Sequence, residues 1–318
     1  MRNISEKKRI VIKLGTSTLA HATGKLNIRR MTNLVRVISD LHNSGREIIM
    51  VSSGAVGLGA GKLGLPEKPK ETKAKQAVAA IGQCELMHVY DDMFAKYSVT
   101  VAQILLTKTI INNPNHCENF KNTIETLVGM DVIPIVNEND TIAIDELELE
   151  IGENDSLSAL VAELSHADLL LILSDIDCLY DDDPRKNPDA KPISVVEEIT
   201  TNIEQMAGGA GSGLGTGGMS TKINAAKIAT EAGIDMVIMN GRDPELLYDL
   251  FENKEIGTIF KAKNVQNSSD SGSIRVITTP STQITAATMP LMITAPTGIW
   301  FFAQRLAKRA GISPCSAA

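Results

Sequence analysis

The absences in this sequence narrow it first. The four cysteines, Cys84, Cys117, Cys178 and Cys315, contain no C-x-x-C pair, which argues against a disulfide scaffold and against a zinc site. The five histidines form no H-E-x-x-H string, and no metal ligand set is read. No G-x-x-x-x-G-K-[ST] string occurs, so a Walker A loop is excluded. No internal repeat is visible. The opening residues, MRNISEKKRI, are charged and lead into only a short apolar run, which is neither a secretory signal nor a membrane span. Basic excess is missing as well. Lys and Arg number 31 against 38 Asp and Glu, a net charge of −7, which argues against nucleic acid or an anionic membrane as the main partner. Acid is absent beyond Asp270, and charge of either sign is absent from Val276 to Gln304. That stretch is long enough to span a bilayer, but Pro280, Pro290, Pro296 and many threonines make it a poor helix. Residues 266–318 are therefore expected to be an atypical, loosely ordered tail. The whole is expected to be a reduced, cytoplasmic protein with no membrane partner.

What is present is a chain of 318 residues, 43% hydrophobic, long enough for a large α/β domain. Its most informative run is LGTGGMSTK, Leu214 to Lys222. Gly215, Gly217 and Gly218 leave the backbone bare enough for N–H groups to approach an anion. Thr216, Ser220 and Thr221 add hydroxyls, and Lys222 brings a charge at the start of a helical pattern, where the helix end also favours anions. Together they read as a phosphate cradle. Two G-x-G-x-x-G strings, Gly59–Gly64 and Gly213–Gly218, lack the strand–turn–helix context of a nicotinamide site.

Short β-branched runs predict strands at 9–14, 47–53, 99–106, 132–136, 168–173 and 236–239. Pro134 warns that its strand is irregular or near an edge. Helical spacing covers 28–41, 73–96, 118–130, 155–166 and 219–232, and Pro244 opens another helix. The run GAVGLGAGKLGLP is read as a glycine-rich loop. Alternation of strand and helix over residues 9–260 implies a mostly parallel sheet with helices on both faces. Ligands bind beyond the carboxyl ends of such strands. Polar clusters follow those ends at Gly15–Ser17, Ser52–Gly54, Asn137–Asp140 and Ser174–Asp175.

Lys13 stands inside a β-branched run, where a lysine is costly to bury unless paired. It is either an edge-strand lysine reaching solvent or, with Lys222, one of two cations at the sheet's mouth. Two such cations suit phosphoryl transfer between anions. At ~4 Å and an effective dielectric of ~20, each pair of unit like charges costs on the order of 4 kcal/mol, which fixed cations must offset. Asp155 is either a helix N-cap or the residue that holds the two lysines, with Asn154 touching substrate. Asp140 is either a turn residue or a partner for a substrate ammonium. Asp181–Asp183 are either a solvated turn or a loop flanking a nucleotide. Magnesium would arrive with the nucleotide, held by phosphates and water.

Seven strings carry a resemblance: VIKLGTSTL (11–19), VSSGAVGLG (51–59), QAVAAIGQCELM (76–87), VNEND (136–140), GENDSLSALVA (152–162), LSDIDCLYDDDPR (173–185) and GLGTGGMSTK (213–222). Through them residues 9–262 resemble the amino acid kinase family, within it the members that phosphorylate glutamate. The resemblance implies a kinase domain over 1–265, a three-layer α/β/α sandwich with a mostly parallel central sheet. It implies ATP with Mg2+, L-glutamate as acceptor, L-glutamyl 5-phosphate as product, feedback by proline and a homo-oligomer. It also implies that Lys13 and Lys222 stabilise the transferring phosphoryl group, with Asp155 orienting them. Ser53, Asp140 and Asn154 then contact glutamate. Lys13, Ser174, Asp175, Thr216, Gly217, Gly218, Met219, Ser220, Thr221 and Lys222 form the ATP site. Glu153 and Ser174 replace the aspartate and threonine of many relatives. NSSDSGSIRV replaces their basic, tryptophan-containing segment, and the length leaves no room for the PUA domain of many bacterial members. Rival readings are a kinase of the same family for acetylglutamate, aspartate or carbamate, and a catalytically silent sensor of nucleotide or amino acid. Asp140 would serve an N-acetylated substrate poorly.

Overall fold

Lys13 owes its position to the alternation of β1 (Arg9–Leu14). Ile10, Ile12 and Leu14 point to one face of the strand, while Val11 and Lys13 point to the other. The computed structural model describes residues 3–21, 23–107, 113–142, 154–184, 187–207 and 218–263, so the tail at 266–318 lies outside the described residues. After β1 the chain runs through α1 (Thr16–Leu19), α2 (Ile28–Asn43), β2 (Glu47–Ser52), α3 (Ala55–Lys62), α4 (Thr72–Ala95), β3 (Thr100–Leu106), α5 (Pro114–Gly129) and β4 (Val132–Glu138). It continues through α6 (Asn154–Leu164), β5 (Leu169–Ser174), β6 (Leu179–Tyr180), β7 (Pro192–Ile193), β8 (Val195–Val196), α7 (Thr201–Ala207), α8 (Met219–Glu231), β9 (Asp235–Asn240), α9 (Leu246–Phe251) and β10 (Thr258–Phe260).

One sheet has the order β3-β4-β2-β1-β5-β9-β10-β8, and β6 pairs with β7 in a separate hairpin. Pairing is parallel from β3 across to β9, and β10 joins β9 antiparallel. The chain leaves β1 for β2 on one side and later returns to place β5 on the other. β1 therefore lies at the switch point, where open α/β sheets bind ligands beyond their strand ends.

Two apolar layers sandwich the sheet. On one face Ile10, Ile12, Met50 and Leu171 pack against α2, α4 and α9 through Leu34, Ile38, Tyr90, Phe94 and Leu250. On the other, Val11, Ile49, Leu170 and Ile238 meet α5, α6 and α8 through Ile124, Ala159, Ala162, Ala225 and Ala229. Each fully buried branched side chain contributes roughly 1.5–3 kcal/mol. β5, LLLILS, is buried along its whole length, as a strand covered on both faces must be. α2 begins where Asn27 caps the N–H of Arg30 at 3.2 Å, and it is followed by Gly45 at φ +95°.

Two expectations need correction, and one open alternative is decided. The glycine-rich run after β2 is a helix, α3, and not a loop. Its glycines serve close packing: a Cβ on Gly82 of α4 would fall 1.8 Å from the Ala55 oxygen, and one on Gly59 would fall 2.0 Å from the Val78 oxygen. α5 starts at Pro114, four residues before the predicted Glu118, with Asn113 capping the N–H groups of Asn115 and His116. Lys13 is no edge-strand lysine, because β1 pairs with β2 and β5 on its two sides. Pro134 does sit next to the edge strand. β4 pairs with β3 throughout but with β2 only over Ile135 and Val136, past the residue that has no N–H to give.

Candidate active site

Lys13, one residue from the carboxyl end of β1, shares its sheet face with α6 and α8. It therefore reaches the N-terminal ends of those two helices. Its Nζ lies 2.6 Å from Asp155 Oδ1, and Lys222 Nζ lies 3.2 Å from Asp155 Oδ2. All three are buried, with Asp155 only 1% exposed. The Thr221 hydroxyl adds a contact of 3.0 Å to Asp155 Oδ2 and sits 2.8 Å from the Gly218 carbonyl. Burial alone would push the Asp155 carboxyl up, but the charges of Lys13 and Lys222 outweigh it and hold the group below its ordinary range. The cluster is thus two ammonium groups and one carboxylate, net positive, brought together from residues 13, 155 and 222. Asp155 does not cap its helix. α6 starts at Asn154, so Asp155 lies within the first turn and spends its carboxylate on the lysines.

Asn154 knits the neighbouring strand ends together. Its amide nitrogen lies 2.8 Å from the Ser52 carbonyl, 2.7 Å from Ser53 Oγ and 3.0 Å from Asn137 Oδ1. Asn137 in turn donates to Gln83 Oε1 at 2.9 Å, and the Ser52 hydroxyl meets the Tyr90 hydroxyl at 2.9 Å. Ser53 and Asn154, which the resemblance assigns to one substrate, are thus in direct contact. Asp140 follows three residues after Asn137, past the end of β4. Burial, and then the charge of Glu138, push its carboxyl up to about 6.

Ser174 ends β5, and its hydroxyl donates to Asp175 Oδ1 at 3.1 Å. Gly218 is the cap residue of α8, followed by Met219, Ser220, Thr221 and Lys222 in the helix. Thr216 and Gly217 lie outside the described residues, as does Glu153. Asp181 and Asp182 are turn residues. Asp181 Oδ1 accepts from the Lys191 N–H at 2.7 Å, and Asp182 Oδ2 accepts from Asn187 at 3.0 Å, tying the segment that carries the β6–β7 hairpin.

Sequence reasoning missed Gln83, Asn137 and Tyr90 as members of the site's framework. Asn137 stood within a polar strand-end cluster. Gln83 and Tyr90 carried a weaker signal, polar atoms on the otherwise apolar inward face of α4. No group of three or more His, Cys, Asp or Glu that could hold a metal occurs among the described residues. Asp155 is a poor candidate for a magnesium ligand, since each of its oxygens already faces a lysine. No helix among the described residues is long and apolar enough to cross a membrane.

The sequence model of the amino acid kinase family matches residues 8–240. A glutamate 5-kinase of Clostridium perfringens is 54% identical over 262 residues, 82% of this chain and 97% of that protein. A glutamate 5-kinase of Listeria monocytogenes is 47% identical over 270 residues, 84% of this chain and 98% of that one. The fold is shared with carbamate kinase from Giardia lamblia bound to AMP-PNP, at a TM-score of 0.57 and 15% identity over 81% of this chain and 100% of that one. UMP kinase from Bacillus anthracis is similar too, at a TM-score of 0.56 and 15% identity over 80% and 96% of the two chains.

Proposed function

Because the chain belongs to the amino acid kinase family, we propose that it transfers the γ-phosphoryl group of ATP to the γ-carboxylate of L-glutamate. The products are ADP and L-glutamyl 5-phosphate, and the reaction is the first step of proline biosynthesis. The carrying observation is the convergence of Lys13 and Lys222 on one buried carboxylate, in a chain 54% identical to a glutamate 5-kinase.

The chemistry needs little beyond placement. The glutamate γ-carboxylate is ionised at neutral pH, so no general base is required. One of its oxygens attacks the γ-phosphorus in line, a P–O bond forms, and the bond to the β-phosphate oxygen breaks to release ADP. Donor and acceptor are both anions. Lys13 and Lys222 offset their repulsion and strengthen their hold as charge spreads over the transferring oxygens. Asp155 keeps the two ammonium groups, which repel each other, at fixed positions without neutralising both. It is a positioning residue. Ser53, Asn154 and Asp140 contact glutamate, with Asp140 as partner of its ammonium. Ser174, Asp175 and the stretch from Thr216 to Lys222 hold ATP. Mg2+ would be held by the nucleotide's phosphates and water rather than by Asp155, and would offset part of the phosphate charge. The same reading makes proline a competitor for the glutamate site, the protein a homo-oligomer, the cytoplasm its compartment, and 1–265 the kinase domain with 266–318 as an appended tail.

A coupled ADP-release assay with free and N-acetylated L-glutamate tests this. Turnover with glutamate and little with the acetylated form is the expected result. The reverse preference would assign the chain to an acetylglutamate-type branch, and ATP binding without turnover would make it a sensor.

A further inference from the structure

Across the sheet from Lys13, at the N-terminal end of α2, lies a cavity of about 680 Å³ whose lining includes His21, Asn27, Arg29, Arg30, Asn33, Arg242 and Asp243. Its volume suits a small organic ligand rather than a bare ion. Its lining is unusual for a chain of net charge −7. Three arginines and a histidine face one space, and Asp243 is the lone acid among the lining residues. They come from two separated segments, 21–33 and the turn after β9, so helix periodicity does not account for their meeting. Among the described residues neither Arg29 nor Arg242 has an acidic partner for its guanidinium. The other exposed arginine of α2, Arg36, pairs with Glu245 at 2.6 Å.

At the helix end Asn27 already takes the N–H of Arg30, one of the amide groups left free there. The charge comes from side chains. Guanidinium groups gathered on one surface repel, and nothing in the packing requires Arg29 and Arg242 to meet here, since both are exposed. Guanidinium groups present paired N–H donors that match the oxygens of a phosphate. Asp243 and the amides of Asn27 and Asn33 add acceptors and donors suited to hydroxyl groups on the rest of a ligand.

We infer that this cavity is a second anion site, separate from the Lys13–Asp155–Lys222 cluster, and that it takes a small organic phosphate. α2 packs on the face of β1 that carries Ile12 and Leu14, whereas Lys13 projects from the opposite face. The two sites therefore lie on different sides of the same central strand.

The test is calorimetric titration of the full chain with pyrophosphate as headgroup probe, with and without saturating AMP-PNP, beside the double variant Arg29→Gln/Arg242→Gln. Pyrophosphate is expected to bind the AMP-PNP-loaded protein, and the double variant to weaken that binding tenfold or more. The variant should keep the kcat measured without the probe, which also shows that it folds. Citrate serves as the carboxylate control and should bind more weakly than pyrophosphate. Loss of all pyrophosphate binding once AMP-PNP is present would overturn the inference, as would equal affinity in the variant. Tighter binding of citrate would overturn the phosphate assignment. The binding arms do not depend on turnover, so failure of the glutamate assay and failure of this site are separable.

Discussion

Lys222 owes its reach into the site to the first turn of α8, and its ammonium faces the same carboxylate as Lys13. In the proposed mechanism, replacing it with Ala removes a fixed charge that would grip the transferring group most tightly at the transition state. We expect kcat to fall ~10²-fold or more. Near-wild-type turnover by steady-state kinetics would remove Lys222 from the chemistry. Asp140 makes a subtler prediction. With its carboxyl pushed up to about 6 by burial and Glu138, it is ionised at pH 7.5 and largely protonated at pH 5. Only the ionised form attracts an ammonium. The KM for glutamate is therefore expected to rise as pH falls through about 6, with the KM for ATP little changed. Asp140→Asn should abolish that pH dependence and raise the glutamate KM roughly tenfold or more at pH 7.5. The same substitution should raise the melting temperature at pH 8. The folded carboxyl sits above its unfolded value, so its charged form costs stability above about pH 6, and that cost is relieved on acidification. Equal melting curves for variant and wild type at pH 8 would show that the carboxyl is not strained.

At the scale of elements, the α3–α4 pair decides how the site's framework is held. Gly82 lets α4 press against the first turn of α3, close enough that a methyl group there would overlap the Ala55 oxygen. Gly82→Ala must push the helices apart, at a cost of about 1–3 kcal/mol or more from overpacking. Because Gln83 and Tyr90 on α4 support Asn137 and Ser52, the variant should lose melting temperature and also show a raised glutamate KM. A loss of stability with unchanged KM would uncouple the helix pair from the site. These elements also mark the limit of reading along the chain. The spacing of Met31, Leu34, Val35, Ile38 and Leu41 announces α2, and the β-branched run RIVIKL announces β1. The run GAVGLGAGK reads as a loop, since glycine is a poor helix former in isolation. Contact with a second helix overrides that preference, and contact with a distant segment is invisible to local spacing.

For the whole molecule, two buried or half-buried carboxylates set the acid limit. Asp155 is held below its ordinary value by Lys13 and Lys222 against the opposing effect of burial. Asp235 is likewise held low, with burial opposed by the Ala262 N–H at 2.8 Å and by Lys7 at 2.8 Å. A depressed folded pKa lends stability that is present above the unfolded value near 4 and is lost as pH falls through the folded value. Thermal unfolding should thus change little from these two groups between pH 7 and 5 and drop steeply below pH 4. Asp235→Asn should flatten part of that drop, and an unaltered acid limb would refute its share. The amino-acid order by itself determined the layered α/β architecture, because period-2 and period-3.6 apolar patterns are local properties of the chain. It likewise marked Lys13 as a costly charge in need of a partner and Lys222 as the lysine of a phosphate cradle. Which face of the sheet Lys13 occupies with α6 and α8, that Asp155 serves two lysines rather than a helix end, and that Arg242 joins the arginines of α2 around one cavity were decided by tertiary structure alone. Each is a meeting of residues far apart in the chain, produced by strand order and helix packing, which no local pattern encodes.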